Sequence, residues 1–133
     1  INPHLFGTWR HDLAKSRYAP GPPPRGETRT YARDTAGVKG TIERHHADGR
    51  KEVIEYRADS EMDTPVSGTQ AFDMARFRRV DDSTTEAVLS HAGRVYGYAR
   101  RIISADGQTL TVTFRRLEPG DMVNNVAIYT RAR

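Results

Sequence analysis

The chain has 133 residues, carries 21 Lys and Arg against 17 Asp and Glu, and contains no cysteine. This length predicts one domain, 1–133, because separate cores usually form only in chains well beyond ~200 residues. The lack of cysteine excludes disulfides, cysteine-ligated metal sites and thiol nucleophiles. No apolar run approaches the roughly 18 residues of a membrane helix, so we expect no membrane span.

The distribution of charge argues against a nucleic-acid partner. Basic residues alternate with acidic ones, as in Glu43-Arg44, whereas a nucleic-acid-binding protein concentrates its cations on one face. The longest basic run, 76–79, follows a strand pattern and is interpreted as a solvated strand face, with phosphate binding as the alternative.

Period-two alternation of apolar and polar residues, interrupted by Gly, Asp or Pro about every ten residues, predicts an all-β domain. The proline-rich stretch 18–24 and the connection 61–70 are predicted as loops. The nine predicted strands are 5–9, 27–34, 38–46, 51–59, 72–80, 84–91, 94–104, 108–117 and 122–131.

Turn lengths decide which side chains share a face of each strand. The tripeptide Ala-Asp-Gly occurs at 47–49 and at 105–107, and both copies are predicted as three-residue loops with a left-handed glycine. The second loop pairs Ser104 with Gln108. The pairs that follow are Ile42 with Ile54, Arg44 with Glu52, Ile102 with Leu110, Arg100 with Val112, and Tyr98 with Phe114.

A two-residue turn at 92–93 and a three-residue loop at 81–83 place Asp73 opposite His91, with both side chains pointing inward. The predicted interior is Ile42, Ile54, Tyr56, Asp73, Ala75, Phe77, Ala87, Leu89, His91, Tyr96, Tyr98, Arg100, Ile102, Leu110, Val112, Phe114, Asn125, Ala127 and Tyr129.

This interior is unusually polar for a small domain. A buried polar group without a partner costs ~1–3 kcal/mol, so a cavity that holds water or a ligand is favoured over a filled core. We therefore predict a single antiparallel up-and-down β-barrel of about nine strands with an internal cavity. The residues predicted to bind a ligand are Tyr56, Phe77, Tyr96, Tyr98, Arg100, Phe114, Asn125 and Tyr129.

The segment Phe6-Gly7-Thr8-Trp9-Arg10, followed by a nine-strand pattern over the whole chain, resembles the calycins. These comprise lipocalins, fatty-acid-binding proteins and small bacterial lipocalin-like proteins, the last being the most similar. The resemblance implies that Trp9 packs at the closed end of the barrel and is structural. It also implies a bacterial protein, in the cytoplasm or, if a leader preceded Ile1, in the periplasm.

Fatty-acid-binding proteins, one group of calycins, hold the carboxylate of their ligand with an Arg-x-Tyr pair on the last strand, and this chain departs from that pattern. Tyr129 matches the tyrosine of this pair, whereas Ala127 stands at the arginine position. Arg100 is predicted to point inward and to supply the cation instead.

Asp73 and His91 are the candidate catalytic residues, because an Asp that orients a His is an arrangement used for general-base chemistry. The alternative is a hydrogen-bonded pair that only joins two strands. With neither a Gly-x-Ser-x-Gly motif nor a cysteine, the chemistry would be proton transfer of the isomerase, cyclase, hydratase or lyase type, assisted by cavity tyrosines.

No cofactor or metal is expected. His45 and His46 are adjacent on a strand and point to opposite faces, so they cannot readily chelate one ion, and no glycine-rich phosphate loop occurs. We expect binding of a small apolar or amphipathic molecule in the barrel. The alternative function is a small cofactor-free enzyme that uses Asp73 and His91.

Overall fold

Residues 1–132 are described by the structure, a computed structural model, and they form eleven β-strands and two short 3₁₀ helices, Pro3–Leu5 and Leu13–Lys15. The strands are β1 (Gly7–His11), β2 (Arg17–Ala19), β3 (Gly26–Asp34), β4 (Gly37–His45), β5 (Lys51–Arg57), β6 (Thr64–Pro65), β7 (Met74–Arg79), β8 (Thr84–His91), β9 (Arg94–Ile103), β10 (Thr109–Glu118) and β11 (Asp121–Arg131).

The strands form one antiparallel sheet that curls into a nearly closed barrel of ten strands. Their order around the barrel is β5, β4, β3, β1, β11, β10, β9, β8, β7 and β6, and β2 pairs with β11 outside this path. Two backbone hydrogen bonds of 3.0 Å between Glu55 and Ser67 link the two ends of the path. The predicted all-β barrel is confirmed.

All nine predicted strands are present, with ends that differ by a few residues. The structure adds β2 and β6, which lie in or beside the two segments predicted as loops. Both are very short, with three and two residues, and both contain or precede a proline that cannot donate a backbone hydrogen bond. Such strands leave almost no alternation in the sequence.

The two Ala-Asp-Gly turns form loops of different length. At the first, Ile42 pairs with Ile54 and Arg44 with Glu52, which confirms the prediction. At the second, the N–H of Ser104 donates to the carbonyl of Thr109 (2.9 Å), so the loop contains four residues, 105–108, and not three.

This extra residue corrects the predicted inner face of β9. Phe114 pairs with Ala99 where Tyr98 was expected, and Leu110 pairs with Ile103. Since successive residues of a strand point to opposite faces, a shift of one residue turns Tyr98 and Arg100 to the outside.

Tyr96 nevertheless points inward, because a β-bulge interrupts the pairing of β8 with β9. Leu89 pairs with Gly97 but Ser90 pairs with Val95, which leaves Tyr96 as the extra residue. The bulge shifts the register by one residue and aims the tyrosine ring at Phe114, with ring centroids 5.6 Å apart.

One end of the barrel is filled by a hydrophobic cluster that includes Leu5, Trp9, Val38 and Leu110. Trp9 is completely buried, and its indole Nε1 donates a 3.0 Å hydrogen bond to the carbonyl of Leu5. The guanidinium of Arg131 covers the Trp9 ring at 4.3 Å from its centroid. The sequence prediction that Trp9 is a buried side chain is confirmed.

Candidate functional site

The barrel encloses a cavity of about 590 Å³ beyond this filled end. Strands β7 to β10 form a mainly apolar wall, to which Phe77, Leu89, Val112 and Phe114 contribute, and Arg101 on β9 also lines the cavity. Strands β3, β4 and β11 form the facing wall, which carries charged and hydroxyl groups. The cavity is therefore amphipathic, with one apolar side and one polar side.

Six of the eight residues predicted to bind a ligand line this cavity with their side chains on the inner face, as predicted. They are Tyr56, Phe77, Tyr96, Phe114, Asn125 and Tyr129. The side-chain oxygen of Asn125 accepts a 3.2 Å hydrogen bond from the N–H of Ala19, so this residue also ties the proline-rich segment to the barrel wall.

Tyr98 and Arg100 are the two exceptions, because the register of β9 places their side chains outside. Tyr98 is 49% exposed and does not line the cavity. Arg100 borders the cavity, but its guanidinium binds Glu86 on the outer face at 2.5 Å, where Arg78 also binds Glu86. The predicted role of Arg100 as the inward cation is wrong.

Asp73 and His91 lie near each other but do not form the predicted inward-facing pair. The carboxylate of Asp73 accepts a 3.0 Å hydrogen bond from the N–H of Ala92, and the imidazole of His91 is exposed. Neither residue lines the cavity, and among residues 1–132 no hydrogen bond joins their side chains. Strand β7 begins only at Met74, so Asp73 belongs to the loop at the barrel end.

A buried charged group on the polar wall was not predicted from the sequence. Glu27, which is 5% exposed, accepts a 2.7 Å hydrogen bond from Nε of Arg29 on one carboxylate oxygen and another of 2.7 Å from Nε of Arg44 on the other. The hydroxyl of Tyr129 also donates to Glu27, and Nε of Arg29 lies 3.0 Å from this hydroxyl. We call Glu27, Arg29, Arg44 and Tyr129 the charged cluster.

Burial and charge act in opposite directions on Glu27. Burial raises the pKa of Glu27, but the charges of Arg29 and Arg44 and the hydrogen bond from Tyr129 lower it by a larger amount. The pKa of Glu27 is therefore well below the usual value for a glutamate. Burial and the neighbouring carboxylate raise the pKa of Tyr129 well above the usual value. The charged cluster therefore holds an ionised carboxylate and a neutral phenol.

Two further tyrosines, Tyr31 on β3 and Tyr56 on β5, adjoin the hydrophobic cluster at the filled end of the barrel. The hydroxyls of Tyr31 and Tyr56 are 3.2 Å apart, and the Tyr56 ring stacks on Phe77 with centroids 5.6 Å apart. Gly40 makes this possible, because a Cβ at that position would lie 2.7 Å from Cζ of Tyr56. Arg101 covers the Tyr31 ring at 5.1 Å from its centroid and donates to a backbone carbonyl (3.4 Å).

His11 supports the charged cluster from strand β1. Its ring stacks on Tyr129 at 5.2 Å, and its Nε2 lies 2.9 Å from the hydroxyl of Tyr18. Burial lowers the pKa of His11, and burial raises the pKa of Tyr18 to about 12. Both groups are therefore uncharged near neutral pH.

Three segments surround the opening of the cavity. They are the proline-rich segment 22–24, the β4–β5 turn and the stretch 69–72 that precedes β7. His46 and Glu52 form a 2.6 Å hydrogen bond at this rim. A molecule in the cavity would enter between these segments.

The sequence held a signal for the charged cluster. Glu27, Arg29 and Tyr31 alternate on β3, and the register with β4 sets Arg44 opposite Glu27 and Ile42 opposite Arg29. Since Ile42 was already predicted to be inside, counting across one more turn would have placed these charges inside as well.

Within residues 1–132, no group of three or more His, Asp or Glu side chains is arranged to hold a metal ion. The same residues contain no helix with the length and apolar character needed to cross a membrane. A scan against protein-family models gives no match, and a search of curated proteins gives none either.

Proposed function

We propose that this protein binds a small apolar or amphipathic molecule inside the barrel, as its resemblance to the calycins implies. The observation that carries the proposal is the cavity of about 590 Å³. Sites for small molecules commonly measure about 300–1,000 Å³ and combine apolar walls with a few convergent polar groups. This cavity has both features.

The composition of the apolar wall supports a hydrophobic body for the ligand. Phe77, Phe114 and Leu89 face open space, although apolar side chains in a protein core usually pack together without voids. A ligand that fills this space would remove apolar surface from water, which contributes about 25 cal/mol per Å².

The outer surface gives little support to a nucleic-acid partner. Arg78 and Arg100 share Glu86, and Arg76 forms an ion pair of 3.0 Å with Asp63. Because acidic partners accompany these cations, the outer face of β7 to β9 is not a uniform basic patch.

The catalytic alternative has less support. Asp73 binds a backbone amide and His91 is exposed, so the carboxylate does not orient the imidazole toward a bound molecule. Binding without chemistry is the function that the cavity supports best.

The test uses the neutral fluorescent probe N-phenyl-1-naphthylamine and two tryptophan variants at neighbouring positions. Ala99 lines the cavity, and Tyr98 points outward on the same strand. We expect the parent protein to bind the probe, Ala99→Trp to weaken binding at least tenfold, and Tyr98→Trp to change it less than twofold. The thermal unfolding curve of each variant serves as the folding control.

If the parent does not bind the probe, or if the two variants bind it as tightly as the parent does, the cavity is not the binding site and the proposal fails. If Ala99→Trp does not fold, Ala87→Phe on the neighbouring strand provides the same obstruction at a second inward position.

A further inference from the structure

Arg29 and Arg44 use only part of their hydrogen-bonding capacity within the protein. Each guanidinium carries five N–H donors. Both donate to Glu27 through Nε, and within residues 1–132 neither donates a hydrogen bond through an Nη atom. Terminal N–H groups of both side chains are thus available to another acceptor, even with the hydroxyl of Tyr31 beside Arg29.

These nitrogens border the cavity. Among residues 1–132, Nδ1 of His11 is the one side-chain nitrogen or oxygen that is both shielded from solvent and without a hydrogen-bond partner. An Nη atom of Arg29 or Arg44 that has no partner is therefore not shielded, and it must border open space. Both arginines line the cavity, and their side chains are only 11% and 25% exposed. Their free donors therefore face the space that a ligand would occupy.

The charges that line the cavity are not balanced. The guanidiniums of Arg29, Arg44 and Arg101 line it, and the carboxylates beside them are those of Glu27 and of Glu52, which lies opposite Arg44 on β5. The other charged side chains at the rim and on the outer face of β9 are paired. Three cations therefore face two carboxylates, and because buried charges are normally paired, the cavity lacks one anion.

We propose, building on the proposed function, that the ligand is an amphipathic monoanion whose carboxylate or sulfonate group binds the Nη atoms of Arg29 and Arg44. Its apolar body lies against the wall formed by Phe77, Leu89 and Phe114. Glu27 is a positioning residue, because it fixes both guanidiniums through Nε and leaves the Nη atoms free. This site lies on β3 and β4, not at Ala127 or Arg100.

Two probes that differ by one anionic group test this assignment. 8-Anilinonaphthalene-1-sulfonate is N-phenyl-1-naphthylamine with an added sulfonate, so the pair isolates the contribution of the charge. Arg44→Gln removes one cation and keeps an amide donor for Glu27. Arg100→Gln removes one cation from the outer face and is the matched control for net charge.

We expect Arg44→Gln to weaken binding of the sulfonate probe about tenfold or more, because charge-assisted hydrogen bonds to a buried anion are lost. Binding of the neutral probe should change less than twofold, and Arg100→Gln should change neither probe more than twofold. If the neutral probe binds but Arg44→Gln weakens both probes equally or neither, the anion site is refuted and the proposed function stands. If the parent binds neither probe, both proposals fail.

A second measurement needs no variant and decides the matter if Arg44→Gln does not fold. Decanoate and decanol are compared as competitors that displace N-phenyl-1-naphthylamine from the parent protein. A carboxylate loses far more hydration than an alcohol on entering an apolar site, so a preference for decanoate requires cations inside. We expect decanoate to compete at about tenfold lower concentration, and equal or better competition by decanol would overturn the proposal.

Discussion

The hydroxyl of Tyr129 on β11 donates a hydrogen bond to the carboxylate of Glu27 on β3, across the intervening strand β1. The two residues are 102 positions apart in the sequence. This contact joins β11 to β3 and is completely buried. It therefore connects the stability of the barrel with the arrangement of charges in the cavity.

Tyr129→Phe is expected to destabilise the protein by about 1–3 kcal/mol, because a buried carboxylate loses one of its hydrogen-bond donors. The free energy of unfolding from urea titration measures this effect. Tyr98→Phe is the control, since its hydroxyl lies on the exposed outer face. Equal effects of the two substitutions would mean that the hydrogen bond to Glu27 contributes nothing.

Glu27 is expected to make stability depend on pH in the acidic range. Its pKa in the folded protein is below the value of about 4.3 in an unfolded chain, so its contribution is fully present above that value and is lost as pH falls. The free energy of unfolding of the parent should fall below about pH 5, and more steeply than that of Glu27→Gln. Parallel curves for the two proteins would contradict this origin of the pH dependence.

Trp9→Ala is expected to lower the free energy of unfolding by about 3–5 kcal/mol, because it leaves a cavity at the filled end of the barrel. Leu13→Ala, at a residue that is 40% exposed, should cost much less. Thermal unfolding of both variants is the measurement. A Trp9→Ala protein that melts like the parent would show that this end of the barrel is not held by the indole.

Gly40→Ala is expected to destabilise the protein by about 1–3 kcal/mol, because the new Cβ would lie 2.7 Å from Cζ of Tyr56 and the ring must move. Gly26→Ala is the matched control, since its Cβ would meet nothing within 4 Å. The urea midpoints of the two variants give the comparison. A Gly40→Ala protein as stable as Gly26→Ala would mean that Tyr56 has room to move.

The sequence predicted where the strands lie better than it predicted which side chains of each strand point inward. Alternation alone located all nine long strands, because an antiparallel sheet with one buried face imposes a period of two. The identical Ala-Asp-Gly tripeptides at 47–49 and 105–107 form loops of different length, so the local sequence did not determine the register of β9. The one extra residue in the second loop turns Tyr98 and Arg100 outward, whereas both were predicted to point inward.

The bulge at Tyr96 and the charged cluster were beyond a local interpretation of the sequence for a related reason. A bulge depends on how two strands pair, and it restored Tyr96 to the interior after the shift in register. Glu27 and Arg29 have the composition of a solvated strand face, so their burial could be predicted only by extending the register from Ile42 across the β3–β4 turn. Charged residues are buried in this way only when they are paired.

The most direct test of the cavity as the binding site is an NMR titration of alanine-methyl-labelled protein with decanoate. Ala87, Ala99 and Ala127 line the cavity, whereas Ala32 and Ala36 are exposed on the outside. We predict saturable chemical-shift changes at the three inner methyl groups and no changes at the two outer ones. Changes at the outer methyl groups, or no saturable change at the inner ones, would contradict ligand binding inside the barrel.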